Sequence, residues 1–221
     1  MPLTHPLLLS AFCLASALSA QTSKLPALDL VNVKAEPASY RGRQATRITE
    51  LPNSDGSALA ILSGSDFKDG TIETEVAGAP LAGAGGGARG FIGIAFRVQP
   101  RGARFECFYL RPTNGRADDQ LRRNHTVQYI SHPDFPWERL RKETPGVYES
   151  YADLEPGVWT KVKIVVSGVK ARLYVHGSDQ PVLLVNDLKL GESHGAIALW
   201  IGPGTEGYFA DVAVNPAKRP E

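Results

Sequence analysis

Short runs in which apolar and polar residues alternate recur along most of the chain, broken by Gly, Pro, Asn and Asp. A period of two sends successive side chains to opposite faces of a strand, so these runs predict half-buried β-strands. In residues 159–167, Val162, Ile164 and Val166 share one face while Lys161 and Lys163 take the other; in 171–176, Leu173 and Val175 point inward. The same reading applies to 43–51, 58–62, 72–76, 126–131, 181–185, 194–201 and 207–214, after a first extended segment at 25–35. Residues 91–98 put Ile92, Ile94 and Phe96 on one face, with Gly93, Ala95 and Arg97 on the other. The small residues of that second face leave room for something to lie against the sheet. Residues 105–111 are apolar on both faces, as a central strand requires. The Gly-rich stretch 77–90 predicts a loop, and it lacks the Gly-Lys-Ser/Thr ending of a phosphate-binding loop. No stretch holds the helical period over a normal helix length, although 137–142 fits a single turn. Many short strands with frequent turn signals predict an all-β sandwich or barrel.

Composition narrows this picture. A length of 221 residues suits one large all-β domain, and 43% hydrophobic with 21% charged residues is enough for a true core. A net charge of +1 removes any bulk electrostatic case for nucleic acid or an anionic membrane. The apolar run 6–18 is too short to span a bilayer comfortably and ends in Ala-Leu-Ser-Ala. Residues 1–20 are therefore expected to be a signal peptide cleaved after Ala20, although no Lys or Arg precedes the run. This leaves a domain over 21–214 and a polar tail over 215–221, secreted or periplasmic and with no membrane insertion after cleavage. Cys13 falls in the expected signal, so Cys107 is alone in the mature chain, cannot form an internal disulfide, and reads as a small buried hydrophobe.

Candidate chemistry is concentrated in 105–151, a long polar and aromatic insertion. Arg111, Arg122, Arg123, His125, Gln128, Tyr129, His132 and Trp137 combine forked donors with flat apolar rings, the two features sugars are bound by. The competing reading is that the arginines staple a long loop to the sheet through Asp118, Asp119, Glu138 and Glu143. Glu106 and Glu149 are the candidate catalytic carboxylates. A glycosidase needs two carboxylates about 5–5.5 Å apart for retention or about 6.5–9.5 Å apart for inversion. Glu106, on a central strand, is either functional or paired, with Arg97 on the neighbouring strand as the natural partner. Trp200 alternates with Ile197, Leu199 and Ile201 and so faces away from them, as a stacking platform or an ordinary packed ring. His125 and His132, seven apart, match no standard metal-ligand spacing, and no nucleophile-elbow motif occurs.

The succession DFKDGTIE (66–73), GFIGIAFR, FECFYLRP, PGVWTKVKIVVSG, ARLYVHG, GAIALWIG and GYFADVAV resembles the concanavalin A-like lectin/glucanase superfamily. The similarity is to the branch that holds laminin-G-like modules and 3-keto-disaccharide hydrolase-like domains. It covers residues 28–214 and implies a jelly roll of two antiparallel sheets, with sugars on the concave sheet or its rim loops. The Glu-x-Asp-x-Glu strand of family-16 glucanases is absent. Against the keto-disaccharide group, Arg97 and Glu106 match while a later Gln and Asp do not. The expected function is a secreted carbohydrate-binding jelly roll using Arg97, Arg111, Arg123, His125, Gln128, Tyr129, His132, Trp137 and Trp200. The alternatives are a glycoside hydrolase on the same fold and a protein-interaction module of laminin-G type. No cofactor is implied: calcium on loop carbonyls with Asp118 or Asp119 would suit the superfamily, but no EF-hand pattern supports it. The oligomeric state is not legible.

Overall fold

A computed structural model describes residues 27–52 and 58–217; the expected signal peptide lies outside them. In chain order the strands begin with β1 (Leu28–Val31), β2 (Val33–Tyr40), β3 (Arg43–Glu50), β4 (Ala58–Leu62), β5 (Gly70–Pro80), β6 (Ile92–Val98) and β7 (Phe105–Leu110). A short helix α1 (Gln120–Asn124), then β8 (Val127–His132), helix α2 (Trp137–Glu143) and the two-residue β9 (Glu149–Ser150) make up the insertion. The chain closes with β10 (Thr160–Ser167), β11 (Lys170–Val175), β12 (Leu183–Val185), β13 (Ala196–Ile201) and β14 (Thr205–Pro216).

These strands form two antiparallel sheets of seven, a jelly-roll sandwich. The first has the order β1-β4-β13-β6-β7-β8-β9 and the second β12-β11-β10-β5-β14-β3-β2. Alternation decides what lies between them. Ile92, Ile94, Phe96, Phe108, Ile197 and Leu199 of the first sheet meet Ile48, Ile72, Val76, Ile164 and Phe209 of the second in one buried core. Each such large side chain contributes roughly 1.5–3 kcal/mol by leaving water. Short edge strands at β9 and β12, and Pro37 within edge strand β2, limit further strand pairing.

Several sequence expectations are corrected here. Of the expected segment 25–35, residues 28–35 belong to two strands of different sheets, separated at Asn32, whose φ of 57° turns the chain; residues 25–26 lie outside the described residues. Residues 77–80, expected in a loop, belong to β5 and pair with β14. Asn215 and Pro216, expected in the tail, end β14 against Thr71 and Gly70. The single turn at 137–142 is a seven-residue helix.

Arg97 is the main departure. Alternation places it on the outer face with Gly93 and Ala95. Instead, β6 takes three steps, from Ala95 to Val98, where β13 takes only two, from Ala198 to Ala196, which is a β-bulge. Arg97 there has φ 54° and its side chain is fully buried. Its guanidinium donates to the carbonyls of Lys68 (3.0 and 3.1 Å), Gly191 (2.6 Å) and Gly168 (2.7 Å), and to Asp69 Oδ1 (3.2 Å). Asp69 Oδ1 also accepts the amide of Gly168 (2.8 Å). Arg97 thus ties together loops that approach one end of the sandwich.

Candidate functional site

The outer face of the first sheet carries a second buried cluster, formed by Leu59, Ile61, Ala95, Val98, Phe105, Cys107, Tyr109, Ala198 and Trp200. Strand register lines up one row across six strands: Leu59 pairs Trp200, Trp200 pairs Gly93, Gly93 pairs Tyr109, Tyr109 pairs Gln128, and Gln128 pairs Glu149. The row is apolar at one end and polar at the other. Gly93 makes it continuous, because a Cβ there would stand 2.6 Å from Tyr109 Cβ. The room foreseen beside the small residues of β6 is therefore filled, by Tyr109 packed 4.8 Å from the Trp200 ring.

At the polar end the period of two continues past β7, so Arg111 follows Tyr109 on the outer face. The Arg111 guanidinium donates to Tyr109 Oη (2.7 Å), to Gln128 Oε1 (3.2 Å from both Nη atoms) and to the carbonyl of His125 (3.0 Å). It lies over the Tyr109 ring at 4.9 Å and the Trp137 ring at 5.6 Å. Burial lowers its basicity, and the neighbouring charge of Arg141 acts the same way. Burial likewise raises the Tyr109 phenol well above its ordinary value, so it remains protonated and can accept from Arg111.

Helices α1 and α2 build the walls. Asp119 caps α1 by accepting the Arg122 amide at 2.9 Å. On α2, Trp137 and Arg141 are four residues apart and so share one face, with the Arg141 guanidinium 4.6 Å over the ring. Arg141 also reaches Glu149, with Nε to Oε1 at 3.0 Å and Nη2 to Oε2 at 2.7 Å. His125 Nε2 stands 3.2 Å from Glu149 Oε1. Desolvation lowers the His125 pKa below its ordinary value; Glu149 opposes this, and Arg141 and Arg111 reinforce it.

Two clefts open beside these walls. One, of about 450 Å³, is lined by Arg89, Phe91, Arg111, Asn114, Asp119, Leu121, Arg122, His125, Trp137 and Arg141. The other, of about 640 Å³, shares Leu121, His125 and Arg141 and continues past Pro145, Glu149 and Tyr151. Both volumes fall in the range of small-ligand sites. Among the described residues, no group of three or more His, Cys, Asp and Glu is placed to hold a metal ion.

The expected site residues thus separate. Arg111, His125, Gln128, Trp137 and Glu149 come together, and Arg123 joins their margin by donating to Tyr151 Oη at 3.1 Å. Trp200 belongs to the same row but is only 6% exposed, against 38% for Trp137. His132 is at the far end of β8, stacked 4.8 Å from Phe105. Arg97, Glu106 and Tyr129 lie outside the clefts, in the protein interior. Glu106 accepts from Tyr129 Oη (2.6 Å) and the Leu190 amide (2.7 Å), and burial raises its pKa. Its expected ion pair with Arg97 does not form, because the bulge turns Arg97 toward Asp69. Glu106 is a fastening of the 189–190 loop rather than a group facing the clefts. Arg141, Arg89, Tyr109 and Phe91 were not foreseen. The single turn read at 137–142 already put Arg141 four residues from Trp137 on the same face, the signal that could have found it; Arg89 reaches the cleft only through folding of the Gly-rich loop.

No protein-family model matches the chain, and no curated protein matches it in sequence. Solved structures do share its fold. The carbohydrate-binding module CBM66 from Bacillus subtilis superposes with a TM-score of 0.53 at 14% identity, over 83% of this chain and 95% of that one. A Bacillus subtilis protein of unknown function with a galectin-like fold gives 0.51 at 12% identity, over 85% and 90%. A protein from Parabacteroides distasonis, named as a candidate glycosyl hydrolase, gives 0.51 at 12% identity, over 87% and 89%. What the chain shares with these three structures is the fold, a sandwich of two antiparallel sheets.

Proposed function

We propose that this protein is a carbohydrate-binding jelly roll whose ligand occupies the clefts between α1, α2 and the β7–β8–β9 edge of the first sheet. One observation carries the reading. Trp137, 38% exposed, lines a cleft with Arg111, Arg141 and His125, so an apolar sugar face and its hydroxyls would each meet a partner. The shared fold with a carbohydrate-binding module supports it in coarse outline.

A glycoside hydrolase at the same place has less support. Of the two foreseen carboxylates, Glu106 is interior and Glu149 is held by both Arg141 and His125, while Asp119 caps a helix. Export remains part of the proposal, to be tested by sequencing the N-terminus of the secreted protein. No helix among the described residues is long and apolar enough to cross a membrane.

The test is a glycan screen followed by titration of tryptophan fluorescence. Trp137→Ala should weaken sugar binding by about ten-fold, the scale of one lost aromatic contact. Trp200→Phe should leave it nearly unchanged, since that ring is packed under Tyr109. Equal affinity for wild type and Trp137→Ala would remove the site, and no glycan bound at all would remove the function.

A further inference from the structure

The cleft beside Trp137 has an unusual charge balance. Arg89, Arg111, Arg122 and Arg141 line it, and only Arg141 has a carboxylate within ion-pair distance among the described residues. Arg111 bonds only neutral acceptors although it is 5% exposed. Arg122 donates to Asn114 Oδ1 (3.0 Å) and to Thr113 (3.3 and 3.4 Å), leaving Nη1 without an acceptor among the described residues. Arg89 spends Nη1 on the carbonyls of Gly86 (2.6 Å) and Ala88 (3.0 Å), leaving Nε and Nη2 without acceptors among the described residues. Arg111 and Arg122 are joined through neutral groups, since the His125 carbonyl accepts from both Arg111 and Asn114, and Asn114 Oδ1 accepts from Arg122. The single carboxylate in the lining without an arginine side-chain partner is Asp119.

Two buried or half-buried arginines away from the cleft are neutralised. Arg97 meets Asp69, and Arg47 meets both Glu36 and Glu206. Clustering uncompensated guanidinium groups in a partly dry cleft is unfavourable unless something anionic enters. Burial and mutual repulsion between Arg89 and Arg122 already depress the basicity of Arg89.

We propose that the sugar bound here is acidic: its carboxylate or sulfate group is received by Arg89, Arg111 and Arg122 while a ring face lies on Trp137. The inference rests on the carbohydrate-binding reading and narrows it to anionic glycans. A guanidinium fork suits a planar carboxylate, and a sulfate ester presents the same oxygens.

The experiment is calorimetric titration of the full chain with three probes at low and high salt. They are polygalacturonate, its fully methyl-esterified form, and a sulfated galactan free of uronic acid. The acid is expected to bind about ten- to hundred-fold more tightly than its ester, the gain typical of hydrogen bonds to a charged partner. Salt should erode that difference. Tighter binding of polygalacturonate would identify a carboxylate ligand, and tighter binding of the sulfated galactan a sulfate; either sustains the proposal. Arg89→Gln and Arg122→Gln should each remove most of the preference, read as the ratio of acid to ester affinity within the same folded variant. Arg104→Gln, in an exposed ion pair with Asp134, is the control for overall charge and should change nothing. Equal affinity for acid and ester, or an equal loss in Arg104→Gln, overturns the acidic-ligand proposal but leaves sugar binding standing. Failure of all three probes and of a neutral-glycan screen overturns both.

Discussion

Arg97 and Arg111 occupy opposite ends of the first sheet, and both are almost wholly buried. Arg97 enters through a bulge, meets a carboxylate and three loop carbonyls, and faces nothing but protein. Arg111 arrives by plain strand alternation, is held by neutral acceptors between two aromatic rings, and opens on a cleft. A buried cation with its counter-ion is a fastening. A buried cation without one is positioned for a counter-ion from outside, and this contrast in partners, rather than burial, separates the structural arginine from the candidate binding arginine.

The contrast can be broken first by stability measurements. Arg97→Ala should cost about 3–5 kcal/mol in urea denaturation, because it orphans several buried acceptors and Asp69 together. The folded fraction should still bind glycan with wild-type affinity; a lost affinity in fully folded Arg97→Ala would erase the distinction. Tyr129→Phe should cost about 1–3 kcal/mol, since its hydroxyl donates to Glu106 and accepts from the Lys189 amide, again without changing glycan binding. Arg111→Leu should show the reverse profile: a loss of about 1 kcal/mol, because removing an uncompensated buried charge offsets much of the lost bonding, with ligand binding abolished. A cost as large as that of Arg97→Ala would make Arg111 a second fastening.

The smallest expected effect concerns pH. Burial holds His125 below its ordinary pKa of about 6.5, so the unfolded chain takes up its proton first. The associated stability is complete above that pKa and is lost as pH falls through the folded value. The loss should be well under that of Tyr129→Phe and absent in His125→Asn. Affinity for an acidic glycan should move oppositely, rising as His125 gains charge; a fall in both between about pH 7 and pH 5 would argue against His125 beside the bound anion.

The regular parts of the sandwich were readable because burial and alternation agree in them. Lys161 and Lys163 against Val162 and Ile164, and Trp200 against Ile197 and Leu199, take opposite sides as their spacing requires. The insertion was readable as a concentration of chemistry but not as a site. Tyr129 and Gln128 are adjacent in sequence, yet one points into the sandwich and the other to the opposite face, where it holds Arg111. Arg97 was misplaced because one extra residue in β6 reverses a side that a strict period of two assigns, and nothing local announces that residue.

What the sequence determined by itself is therefore the set of strands and, away from bulges, the face each residue takes, since both follow from backbone geometry repeated every two residues. Only the tertiary structure decided which residues are neighbours. The row from Leu59 through Trp200, Gly93, Tyr109 and Gln128 to Glu149 joins positions as distant in sequence as Leu59 and Trp200, and Arg89 of the Gly-rich loop lines one cleft with Arg122 of α1. Register and loop placement are set by long-range hydrogen bonds and packing, which leave no periodic mark on the chain they connect.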